Sequence, residues 1–136
     1  MEAKIAAGSF AGFGWGATMT DTEMVIFSAN GDDSALQTYY GVGQTTPQAD
    51  DALTACYTTT ISQADGDFVN FTATRPLDCG IEDFGGDNYV VALDTELSLI
   101  SAWNPKKSTL SFHGHNYLEF KQTLGSAGDC SVSVTK

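Results

Sequence analysis

Few residues in this chain are suited to chemistry, and they fall in two places. The 2 histidines sit together at 112–115, Phe-His-Gly-His. Of the 3 methionines, Met19 closes a glycine-rich run at 12–19 (GFGWGATM) and Met24 follows it. A thioether is a soft ligand for copper or haem iron, and imidazole binds most transition metals, so a metal or haem centre would draw on one of each. In an extended segment His113 and His115 project to the same face. Each residue also has an ordinary role: a histidine beside Gly114 can be a hydrogen-bonded core residue, and both methionines can be core filler. Glycines at every second position, 12, 14 and 16, clear one strand face, so the backbone can lie against something flat or bulky such as a ring.

Other constellations are weaker. Arg75 is the only arginine. It suits either an anionic ligand group or a structural ion pair with Asp78 or another carboxylate. His113 and His115 with a nearby methionine offer copper or zinc an incomplete ligand set. The acidic turns at 32–33, 65–67 and 83–87 do not follow the EF-hand pattern and read as solvated turns. Trp15, Tyr39, Tyr40, Trp103 and Tyr117 are candidates for a sugar-stacking face. Ser111 near His113 is too little for a hydrolytic triad. No Cys-x-x-Cys-His occurs, which argues against covalent haem attachment.

The elements that must position these residues are strands. The segment 23–29 is apolar on both alternating faces, as in a strand buried on both sides or facing a ligand on one. Residues 3–13 read as one entering strand and 36–42 as another, with a polar loop at 44–51. Strands are expected at 54–61 and 68–75, joined as a hairpin through the turn 64–67 and ended by Pro76. Further strands are expected at 89–93, 97–103, 109–115 and 130–135, while 117–124 is ambiguous between strand and helix. Short strands joined by turns, without an amphipathic helix, predict an all-β fold: one antiparallel, immunoglobulin-like β-sandwich of about 8–10 strands over residues 1–136.

Composition bounds the partners. With 17 acidic and 6 basic residues the net charge is −11, which disfavours nucleic acid and anionic membranes and suits a basic partner surface. No apolar run reaches the roughly 20 residues of a membrane span, so no direct membrane insertion is expected. No signal peptide is visible, so the chain reads as a mature portion. Cys56, Cys79 and Cys130 allow one disulfide plus a free thiol. Cys56 and Cys79 flank the expected hairpin and are the favoured pair. Asn70-Phe-Thr72 is an N-glycosylation sequon, usable only in a secretory setting. Together these features lean towards an extracellular or secretory-lumen location.

The order of segments carries a resemblance. The run 14–25 (GWGATMTDTEMV), then 71–78 (FTATRPLD), then 100–103 (ISAW), then 112–114 (FHG) resembles the DOMON family in its haem-binding members. These include the cytochrome domain of cellobiose dehydrogenases and modules attached to membrane b-type cytochromes. The likeness spans about residues 12–117. It implies one non-covalent haem b in a sandwich pocket, with Met19 and His113 matching the ligand methionine and histidine, and His115 as the alternative to His113. It implies a packing role for Met24, pocket walls among Trp15, Phe27, Tyr89, Val91 and Trp103, and a haem propionate or a carboxylate as the partner of Arg75. Met/His ligation fills both axial positions and raises the potential, so the expected role is single-electron transfer to a redox protein or membrane b-type cytochrome. The chain would then be a carrier, on its own or as a domain of a larger oxidoreductase, rather than an enzyme with its own substrate. A haem-free module for carbohydrate or another small ligand, or an assembly or adhesion domain, is the alternative.

Overall fold

The computed structural model describes residues 1–16, 18, 20–43, 45–63, 67–80, 82–83, 86–87, 90–110 and 116–125. Its strands are β1 (Glu2–Ala6), β2 (Ser9–Trp15), β3 (Thr20–Ala29), β4 (Ala35–Val42), β5 (Gln48–Ala49), β6 (Thr58–Gln63), β7 (Phe68–Thr74), β8 (Glu82–Asp83), β9 (Gly86–Asp87), β10 (Glu96–Asn104) and β11 (Tyr117–Thr123). One short helix, α1 (Asp51–Cys56), precedes β6. The strands form a three-stranded sheet, β1-β7-β6, a six-stranded sheet, β11-β10-β2-β3-β4-β5, and the small β8-β9 pair, with antiparallel pairing in all three. The two larger sheets pack as the expected sandwich.

Alternation along β7 shows why they pack. Val69, Phe71 and Ala73 are buried, while Phe68, Asn70, Thr72 and Thr74 between them are exposed. The inward set meets Val25, Phe27 and Ala29 of β3 together with Ile5 of β1 and Leu36 of β4, and the Phe27 and Phe71 rings lie 5.2 Å apart. Each valine, leucine, isoleucine or phenylalanine among them contributes roughly 1.5–3 kcal/mol by leaving water. A second cluster, Trp15, Val91, Leu97 and Leu99, continues the core. Phe10, Met24 and Ile26 are also buried, yet register and alternation put them on the other face of the six-stranded sheet. Strand β3 is therefore covered on both sides, as its sequence suggested.

Four expectations change. The single strand expected at 3–13 is two strands in different sheets. Ala7 N still bonds Asp67 O of the small-sheet side, whereas Gly8 N already bonds Ala29 O of β3. Gly8 has φ +80, a left-handed conformation that glycine adopts without a Cβ clash. The strand expected at 54–61 begins as α1, because the Asp50 side chain accepts from Leu53 N at 3.1 Å and caps a helical turn. That cap and the complete burial of Leu53 outweigh the β-branched residues nearby. Residues 90–93 form no ladder, and Val91 N bonds Leu77 O instead. The ambiguous stretch at 117–124 is a strand, held to β10 from Ala102↔Tyr117 to Glu96↔Thr123. The hairpin of β6 and β7 forms as expected, from Thr58↔Thr74 to Gln63↔Val69. The expected strands at 111–115 and 130–135 lie outside the described residues, and residues 109–110 belong to no strand.

The alternating glycines serve the sheet itself. A Cβ on Gly14 would come within 2.8 Å of Ile100 Cγ1 and 2.9 Å of Thr22 Cγ2, and one on Gly12 within 2.6 Å of Ile26 Cδ1. The space cleared along β2 is thus filled by side chains of β3 and β10 leaning over it, where a ring had been expected. Gly14→Ala is expected to cost about 1–3 kcal/mol through overpacking. Gly8→Ala, with nothing within 4 Å of its added Cβ, is expected to cost about 1 kcal/mol through backbone conformation alone. Urea midpoints at unchanged m-value check both.

Candidate functional site

The most developed polar site lies between the sheets and is centred on Glu23. This residue sits on the core face of β3, opposite Trp15 of β2 and Tyr40 of β4. Its Oε1 accepts from Arg75 Nη1 at 2.5 Å and from the Tyr57 hydroxyl at 2.9 Å. The Trp15 indole N–H in turn donates to the Tyr57 oxygen at 3.4 Å. The guanidinium lies 5.8 Å from the ring centroids of both Trp15 and Tyr57. Both charged side chains are almost completely withdrawn from solvent, at 4% and 2% exposure for Arg75 and Glu23. At such burial an ionised group persists only when paired and hydrogen-bonded. Arg75 adds bonds from Nε to Pro76 O at 2.9 Å and from Nη2 to Leu77 O at 3.3 Å.

Each partner arrives from a different element. Tyr57 ends α1 and Arg75 follows β7 directly, where Pro76 stops the ladder. Helix α1 is fixed to β4 through Thr54, whose hydroxyl accepts from Thr38 N at 2.8 Å and Gln37 Nε2 at 3.0 Å. The disulfide Cys56–Cys79, spanning 23 residues, then ties the residue before Tyr57 to the segment after Arg75. By loop length such a link contributes about 3 kcal/mol. The favoured cysteine pairing is the one found, and Cys130 lies outside the described residues. Burial pushes the Tyr57 phenol far above its ordinary range and the Glu23 charge adds to this; the Trp15 bond and the Arg75 charge oppose, and the hydrogen bond to Glu23 pushes it further up. The phenol is held neutral as a donor to Glu23.

The sequence-predicted site residues do not all meet here. Trp15 and Arg75 are brought together, and Arg75 takes Glu23, rather than Asp78, as its carboxylate partner. Met24 is buried on the opposite face of the six-stranded sheet. Trp103 is half-buried towards the other end of β10, opposite Ala11, with its backbone N–H donating to Asn116 O at 3.0 Å. Phe27 and Val91, expected as pocket walls, belong to the core clusters between the sheets. Met19, Tyr89, His113 and His115 lie outside the described residues. Of their neighbours in sequence, Thr20 opens β3 beside Val42, and the Asn116 carbonyl accepts from the Trp103 backbone N–H. Sequence reasoning missed Glu23 and Tyr57. The signal for Glu23 was an acid directly against an apolar strand, two residues after Asp21, in a chain with one arginine. Nothing in the sequence marks Tyr57 apart from Cys56 beside it.

No protein-family model matches the chain, and no curated protein sequence matches it. Among solved structures it is similar to the cytochrome domain of Myriococcum thermophilum cellobiose dehydrogenase, with a TM-score of 0.63 at 15% identity. The similarity covers 91% of this chain and 65% of that one, so the chain spans just under two thirds of its length. The two share a fold.

Glu23→Gln keeps the shape of the site and removes its negative charge from the buried guanidinium. The expected cost is on the order of 3 kcal/mol in urea unfolding, and Glu23→Ala should cost no less. A second outcome concerns alkaline pH. An unfolded tyrosine ionises near pH 10 whereas folded Tyr57 does not. The unfolded state therefore sheds a proton first, and stability falls as pH rises above about 10, by up to about 1.4 kcal/mol per unit. Tyr57→Phe should remove that part of the slope, read as midpoint against pH.

Proposed function

We propose that this chain is a DOMON-type cytochrome domain that binds one haem b non-covalently and passes single electrons to or from a redox partner. The observation that carries the reading is the shared fold with a cytochrome domain over 91% of the chain, joined to a thioether and an imidazole at the positions where the DOMON resemblance expects ligands. Met19 and His113 would hold the group, with His115 as the alternative to His113. Haem b, when bound, supplies one-electron chemistry at its iron.

The described residues suit such a group. Phe10, Met24 and Ile26 give the six-stranded sheet a buried apolar face distinct from the inter-sheet core, and apolar surroundings exclude water and raise a potential. The buried pair of Glu23 and Arg75 fixes β3, and so the start of the strand that Met19 precedes. The net charge of −11 fits docking to a basic surface on a partner protein or a membrane b-type cytochrome. Among the described residues no helix is long and apolar enough to cross a membrane. The disulfide fits an oxidising, extracellular or secretory setting. In this reading the chain carries electrons and has no substrate of its own.

Absorption spectra test the proposal. After haem reconstitution the expected result is a low-spin, six-coordinate spectrum whose bands sharpen on reduction. A colourless protein would end the reading and favour a haem-free module for carbohydrate or another small ligand. His113→Ala is expected to abolish the low-spin bands and His115→Ala to leave them, and the reverse pattern would move the ligand to His115. Met19→Ala should leave a five-coordinate or exchanged state with a lower potential.

A further inference from the structure

The sequon at Asn70 has a structural setting that the electron-transfer reading leaves unused. Asn70 and Thr72 lie on β7, the central strand of the three-stranded sheet. Alternation turns both side chains out to solvent, while Phe71 between them is 1% exposed and packed in the core. Asn70 stands level with Lys4 of β1 and Ser62 of β6, and Thr72 with Glu2 and Thr60. All four neighbours are polar and exposed, so the face around Asn70 is open to solvent. The nearby Lys4 ammonium lies 5.0 Å from the Phe68 ring centroid. Among the described residues no side chain bonds the Asn70 amide.

We propose that Asn70 accepts an N-linked oligosaccharide during passage through a eukaryotic secretory pathway. The co-reactant is a lipid pyrophosphate-linked oligosaccharide with a terminal N-acetylglucosamine. The amide nitrogen of Asn70 bonds to the sugar's anomeric carbon, the carbon–oxygen bond to the pyrophosphate breaks, the lipid pyrophosphate leaves, and the amide gives up one proton. Transfer takes place on extended chain, so what the fold decides is whether the modified chain can still close. A sequon with its asparagine inward would bar folding, since a glycan cannot enter a packed core. Here the middle residue is the inward one and both recognition residues face out.

A second observation places the sequon in a suitable compartment. Asn70 lies within the segment closed by the Cys56–Cys79 disulfide, so the hairpin that bears it is the part of the chain stapled by oxidation. Disulfides persist in the oxidising lumen where N-glycans are added. The glycan would cover the outer face of the three-stranded sheet and leave partner docking to the other surfaces. This inference does not depend on the haem reading.

The test is secretion of the full chain from yeast, followed by peptide N-glycosidase treatment in heavy-oxygen water and peptide mapping. The expected result is a mass increment on the secreted, disulfide-bonded protein that the enzyme removes, with Asn70 read as labelled aspartate. Asn70→Gln and Thr72→Ala should lose the increment, and Thr72→Ser should retain it. Both loss variants change exposed side chains and should be secreted with the disulfide formed. Unmodified Asn70 in secreted, disulfide-bonded chains would overturn the proposal. So would an increment that survives Thr72→Ala, or a glycosylated form retained in the cell while Asn70→Gln is secreted.

Discussion

The structure depends on one buried ion pair. Glu23 belongs to the six-stranded sheet, and Arg75 enters from the strand that centres the three-stranded sheet, so their bond crosses the sandwich. Hydrophobic contacts between two sheets resist sliding only weakly, because one branched side chain can replace another. A charge with 4% exposure cannot be displaced that way: any slip that parts it from the carboxylate leaves both groups unsolvated. The pair therefore selects one alignment of the sheets, and the Trp15 and Tyr57 rings shield it from water. This specificity is distinct from net stability, which a buried pair supports less than its Coulomb energy suggests.

Two separate buried surfaces follow from the both-sided strand β3. Its inward residues build the core with β7, and Met24 and Ile26 build an apolar face on the reverse side. The glycines of β2 keep that face close-packed by letting Ile100, Thr22 and Ile26 lean across the strand. A sheet with two apolar faces is the frame a sandwich needs if it is to seat an apolar group and retain its own core.

Much of the fold was legible because apolar runs, β-branched content and turn residues are local signals. Strand β3 follows from a run apolar on both faces, and the β6–β7 hairpin from β-branched residues, the turn between them and Pro76. Where local cues competed, the readings diverged. Asp50 caps a helix within a stretch of β formers, and the apolar run at 3–13 hides a change of sheet that only a left-handed Gly8 reveals. The candidate site was legible in part. Arg75 stood out as the only arginine, but its partner, Glu23, is 52 residues away, and sequence offers no period for a contact of that kind. The glycine run misled for the same reason, since what fills a cleared face comes from other strands.

The Cys56–Cys79 link sits where the β6–β7 hairpin is open. Its ladder ends at Thr58↔Thr74, which already sets Tyr57 and Arg75 side by side. The bond lies just beyond that end, joining the residue before Tyr57 to the segment after Arg75. A hairpin frays from its open end, so the link works there as a clasp: it keeps both arms closed over Glu23, where a parted end would let water reach the guanidinium.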